Sequence, residues 1–245
     1  MGKNAGKLAW AVLALVGLYS CTAYRASRQY QKLQQPKLGT VVQQHGTLGL
    51  VEHTQEVGQL QLKRPLAVKV VALPFNNHSY SRYTTYLKNA RTANSVPYND
   101  SLPMPPRYVQ LQLANQVQVT QLLNAPENQA LCDYIAQDPK HALVSSICFT
   151  GSDENLATFI NATHVFLVQD DLGKPYFKLL QEANERIIYF EELQIFDSEK
   201  VSFCWSEDQY LEKRVVNLLE KGQRCPKGTY KKARKAERKR DYLKL

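Results

Sequence analysis

The chain is poor in the residues that soft-metal and redox chemistry draw on, with five cysteines and two methionines among 245 residues. No CxxC pair and no Cys/His group at zinc spacing occurs, so neither a metal nor any other cofactor is expected. A glycine-rich phosphate loop, a dinucleotide fingerprint and an internal repeat are missing as well. Ser152 in FTGSDEN has only Gly151 immediately before it, whereas a nucleophile elbow needs glycines at both second-flanking positions. The histidines, at 45, 53, 78, 141 and 164, form no constellation with a nucleophile and an acid. No catalytic residue is assigned on this basis.

Long apolar runs are lacking too. The longest uncharged, mostly apolar stretch, Leu8 to Ser20, holds thirteen residues, and a spanning helix needs roughly 20. Lys3 and Lys7 precede the stretch and Cys21 ends it, which is the layout of a secretory signal. Leu18-Tyr19-Ser20-Cys21 resembles the lipobox of bacterial lipoproteins. The resemblance covers residues 1–21 and implies cleavage before Cys21, with a diacylglycerol on its thiol. It implies a lipid-anchored protein of the bacterial cell envelope, facing the periplasm or the cell surface, with the membrane as its first partner.

Acidic residues are scarce at one end. The whole chain carries +9, and residues 227–245 hold nine Lys or Arg against Glu237 and Asp241. With Lys3 and Lys7 counted in the signal, residues 21–226 sum to zero. The basic character therefore belongs to the ends. The organisation expected is a signal (1–20), a Gln- and Arg-rich tether (21–39), a globular domain (40–226) and a basic tail (227–245). The eighteen flexible residues from Thr22 to Gly39 reach about 25 Å.

Besides Cys21 the chain has Cys132, Cys148, Cys204 and Cys225. An even number outside the cytosol favours two disulfides, and four thiols allow three pairings. Local pairing, Cys132 with Cys148 and Cys204 with Cys225, is the expectation; buried free thiols are the competing reading.

Period-two apolar patterns and turn residues point to strands across 40–75, at 108–113, 142–149, 164–180 and 201–205. Tyr80, Tyr83 and Leu87 share helical spacing, Pro126 opens a helix with Leu131, Tyr134 and Ile135 on its apolar face, and Ser152 caps another. Ser206-Glu207-Asp208-Gln209 followed by Leu211, Val215, Leu218 and Leu219 reads as a helix near 207–221, closed by Gly222. The fold class expected is α+β, a mostly antiparallel sheet with a few packing helices.

Two regions offer binding chemistry. The stretch 76–107 is rich in Tyr, Asn and Pro, and Tyr80, Tyr83, Tyr98 and Arg107 are its candidate contacts. The tail, expected to be loosely ordered alone, offers Lys231, Lys232, Arg234, Lys235, Arg238, Lys239 and Arg240 to an anionic envelope polymer or an acidic protein. An exported protein seldom meets nucleic acid, so nucleic acid is set aside as a partner. These features point to a non-catalytic envelope lipoprotein with a structural, assembly or binding role, the alternative being a periplasmic or surface hydrolase whose site the sequence does not display.

Overall fold

The computed structural model describes residues 36–47, 50–93, 96–99, 101, 103–182 and 184–237, with the backbone only between 45 and 53. The fold is dominated by one curled antiparallel sheet. Its strands are β1 (Thr40–Thr47), β2 (Leu50–Gln59), β3 (Leu66–Pro74), β4 (Arg107–Leu113), β5 (His141–Thr150), β6 (His164–Gln169), β7 (Pro175–Gln181), β8 (Asn184–Tyr189), β9 (Gln194–Glu207) and β10 (Lys213–Leu219). Their order is β10-β9-β5-β4-β3-β6-β7-β8, and β1 pairs with β2 and with the first three residues of β5. Every pairing is antiparallel, so the start of β5 and the ends of β4, β6 and β9 lie at one end of the sheet.

Five helices accompany the sheet among the described residues: α1 (Asn77–Ala90), α2 (Gln116–Leu123), α3 (Gln129–Ile135), α4 (Asp153–Asn161) and α5 (Ala233–Glu237). Asn76 starts α1 by accepting from the N–H of Ser79, whose hydroxyl in turn accepts from the N–H of Asn76. Ser152 caps α4 by accepting from the N–H of Asn155, as the sequence suggests. The inner face of the sheet carries the main core, in which Phe149, Phe159 and Phe177 are fully buried in edge-to-face contacts. The outer face is covered at β4, β5 and β9 by α1, where Tyr83 and Leu87 pack with Phe75, Tyr108, Cys148 and Phe196.

Three side-chain amides stand in for missing ladder partners, since each carries one donor group and one acceptor like a peptide. The Gln169 carbonyl accepts from the N–H of Leu62 while its amide donates to the carbonyl of Leu60, which fastens the exit of β2 to β6. Asn128 does the same for Gln61 and adds a bond to the carbonyl of Leu122. Asn124 embraces both backbone groups of Val215, joining α2 to β10. The curl therefore closes on itself through amides where strands cannot pair.

Several expectations change. The balance is mostly β, with helices as accessories rather than as a second layer of equal weight. The segment 207–221 is not a helix: β9 ends at Glu207, a turn follows, and β10 pairs back along β9. The polar start that resembles a capping box is a side-chain turn, in which the Asp208 carboxylate accepts from the N–H groups of Tyr210 and Glu212. The helical spacing of Val215 and Leu218 arises from a bulge, because Val215 opposes Trp205 while Asn217 opposes Cys204. The extra residue, Val216, turns outward and converts a period of two into a step of three.

The second helix opens with a 3₁₀ turn, Pro126–Asn128, before α3. It buries Cys132 and Ile135 and leaves Tyr134 48% exposed, so Tyr134 is not on the apolar face. Helix α2 has no counterpart in the sequence reading. Asn115 starts it by accepting from the N–H of Gln118.

Candidate anion-binding site

The tail does not hang free where it is described. Cys204 in β9 is joined to Cys225, 21 residues on, as the local pairing anticipates. After Gly228, which takes a positive φ that suits glycine, the chain turns back. The N–H of Tyr230 donates to the carbonyl of Trp205 at 2.9 Å, and the N–H of Trp205 donates to that of Tyr230 at 2.8 Å. This bridge uses the edge of β9 that pairs with β5 further back, so Tyr230 continues the lane of β5 beyond its start. Helix α5 then lays Ala233 and Ala236 against the body, 2% and 3% exposed. Two alanines at helical spacing are a minimal apolar stripe, easily overlooked beneath so much charge.

The strap closes one side of an open groove of about 490 Å³, lined by Pro139, Lys140, Thr229, Tyr230, Lys231, Lys232 and Lys235. Lys140 comes from the turn before β5 and the other three lysines from the strap. All four are exposed. None of them forms an ion pair among the described residues. The acid nearest to Lys140 along the chain, Asp138, is already engaged: its carboxylate accepts from the N–H of Lys140 and from the side chain of Gln43. The Lys140 N–H is the main reason its carboxyl titrates below the ordinary value. The groove is thus lined by four lysines together with Thr229 and Tyr230. Such a set holds an extended anion by point charges rather than by the planar fork of arginine.

The structure brings Lys231, Lys232 and Lys235 together, and sets Arg234 beside them on α5 as an exposed cation outside the groove lining. Arg238, Lys239, Arg240 and Cys21 lie outside the described residues, as do the signal and nearly all of the tether. Lys140 escapes sequence reasoning because nothing local distinguishes it; only the fold places it opposite the strap. Among the described residues no group of three His, Cys, Asp or Glu is arranged to hold a metal ion, and no helix is long and apolar enough to cross a membrane.

The tyrosine-rich stretch serves packing. Tyr83 is fully buried in the outer aromatic cluster, which removes it from any binding surface. Tyr80 and Tyr98 meet as tilted rings with centroids 4.6 Å apart, and their hydroxyls donate to the carbonyl of Val96 and the side chain of Asn77. They pin the loop after α1 onto that helix. Arg107 is exposed at the first position of β4, opposite Pro74. The partner expected for Cys132 is also wrong: Cys132 and Cys148 are free. Cys132 belongs to the inner core and Cys148 to the outer cluster, so the sheet lies between them. Burial pushes the Cys132 thiol up to about 11 and the Cys148 thiol up to about 12, Asp197 and Glu199 adding to the second.

Compared with known proteins, the chain matches no family model, no curated protein and no solved structure.

Proposed function

We propose that the protein is a lipid-anchored envelope protein, held by a diacylglycerol at Cys21, whose folded body binds an anionic envelope component in the lysine groove. The observation that carries this reading is the convergence of Lys140 with Lys231, Lys232 and Lys235 in one groove, none of them in an ion pair among the described residues. The lipobox-like Leu18-Tyr19-Ser20-Cys21 supports the anchor. A body whose residues 21–226 sum to zero charge supports the groove and tail as its cationic contact.

Two variants separate anchor from groove. Cys21→Ala accumulates as an unprocessed precursor without acyl chains, read by intact mass. Lys231→Gln/Lys232→Gln/Lys235→Gln keeps Ala233 and Ala236 in place, and so keeps the strap, while weakening a salt-sensitive association with anionic lipid or peptidoglycan fragments. Exposed charge contacts of this kind are screened over about 8 Å at physiological ionic strength. Equal association of wild type and triple variant across a salt series refutes the groove reading, and maturation of Cys21→Ala at residue 21 with retention in the detergent phase refutes the anchor.

A further inference from the structure

Among the described residues, the end of the sheet that carries the groove also carries several of the exposed large hydrophobic residues. Leu172, at 93% exposure, and Tyr210, at 73%, are two of the three most exposed large hydrophobic residues among those described. Each sits on a hairpin tip at this end, Leu172 after β6 and Tyr210 after β9. The two tips are built alike. Asp170 accepts from the N–H groups of Leu172 and Lys174, and Asp208 accepts from those of Tyr210 and Glu212. In both, a carboxylate locks the turn and the residue two positions on, where a polar turn residue is usual, is a large apolar one. Leu211, with φ of 65° and 52% exposure, adds to the second tip at some cost in backbone strain.

Two further exposed residues share this end: Val117, in the first turn of α2 after β4, and Tyr134, whose ring lies 5.2 Å from that of His141 at the start of β5. Tyr210 is five residues beyond Trp205, the partner of Tyr230, and a strand rises about 3.3 Å per residue, so the tip lies within about 17 Å of the groove. Scattered apolar residues are ordinary on a protein surface. Here Leu172, Tyr210 and Leu211 sit on carboxylate-held turns at the end of the sheet that carries the groove, whose lysines form no ion pair among the described residues.

We infer that this end of the body docks on the headgroup region of an anionic phospholipid bilayer, with the lysines of the groove on lipid phosphates and Tyr210, Leu211 and Leu172 entering the interface. The inference rests on the groove reading and specifies its ligand. Aromatic and aliphatic tips belong in the interfacial layer, and lysines near an anionic surface are drawn to it. Of the acids at the tips, Asp170 and Asp208 are held by backbone N–H groups, and Asp208 and Glu212 pair with Arg214 at 2.7 and 3.5 Å, which leaves Asp171 as an exposed acid beside Leu172.

The test uses the mature acylated protein, residues 21–245, which has lost Trp10 with the signal; carrying Tyr210→Trp, it is reconstituted through its own anchor into vesicles of phosphatidylcholine with or without phosphatidylglycerol, each doped with a lipid brominated near the headgroup. Trp205 is 2% exposed and supplies an unquenched internal standard for the fold. The expected result is quenching of the new tryptophan on phosphatidylglycerol vesicles, little on phosphatidylcholine alone, and loss of quenching at high salt. Adding Lys231→Gln/Lys232→Gln lowers the docking constant about 30-fold, since each lysine at an anionic surface contributes about fivefold. Absence of quenching on anionic vesicles overturns the membrane inference; if groove-dependent association with peptidoglycan fragments survives that result, the groove reading stands with a different ligand. Quenching that ignores the lysine changes overturns the role given to the groove here.

Discussion

Removing the Cys204–Cys225 cross-link, by Cys204→Ala/Cys225→Ala, tests both the stability of the body and the origin of the groove. The bond spans 21 residues, and restricting a loop of that length in the unfolded chain is worth about 3 kcal/mol. For a body of this size each kcal/mol corresponds to 2–4 °C, so the melting temperature should fall by about 6–12 °C. The local consequence is larger. Cys225 is the last covalently fixed point before the strap, which is otherwise held by the backbone pair between Trp205 and Tyr230 and by Ala233 and Ala236. Without the cross-link the strap opens more often, and trypsin should cut after Lys231 and Lys232 well before the body unfolds. Thermal melts followed by circular dichroism, with limited proteolysis read by intact mass, measure the two effects, and a dithiol reductant added to the wild type should reproduce both. A melting temperature within 2 °C of wild type, with unchanged cleavage at the strap, refutes the reasoning.

Asn128→Ala removes three hydrogen bonds from a side chain that is 2% exposed, and at roughly 1 kcal/mol each the loss should be about 3 kcal/mol in urea denaturation. Asn128→Asp keeps only the bond from the N–H of Gln61 and sets a carboxylate against two carbonyl oxygens. Its folded pKa should rise above the ~3.9 of the unfolded chain, so the penalty is smallest below that pH and grows as pH rises through it. Cys132 and Cys148, with thiols raised to about 11 and about 12, should resist iodoacetamide at pH 8 in the native protein and react fully in guanidinium; rapid native labelling of either would contradict their burial.

Much of the sheet is legible because its signal is local. YVQLQL at 108–113 alternates so cleanly that it yields β4 directly, and the hairpin of β6 and β7 is marked by its polar turn. Helix α1 is legible from Tyr83 and Leu87, one turn apart. What is not legible is anything that depends on a partner strand. Whether Val215 and Leu218 lie one helical turn apart or straddle a bulge is decided by Trp205 and Cys204 across the ladder, and no window of sequence around residue 215 contains them. Asn124, Asn128 and Gln169 look like ordinary polar residues until the backbone groups they serve are seen.

The disulfides and the tail show the same limit in chemistry rather than in geometry. Cys132 and Cys148 are close enough in sequence to suggest a bridge, but β5 delivers Cys148 to the face covered by α1 while α3 points Cys132 into the opposite core. Sequence separation carries no information on which side of a sheet a side chain stands. In the tail, composition is dominated by seven net positive charges, and charge argues for a solvated segment. The segment folds because a backbone edge at Trp205 lies open beyond the start of β5, and because two alanines fit beneath a helix of five residues. Lysines that are merely numerous in the sequence thereby become a groove. Lys140, an isolated cation before β5, is what turns that strap of charge into a two-sided site.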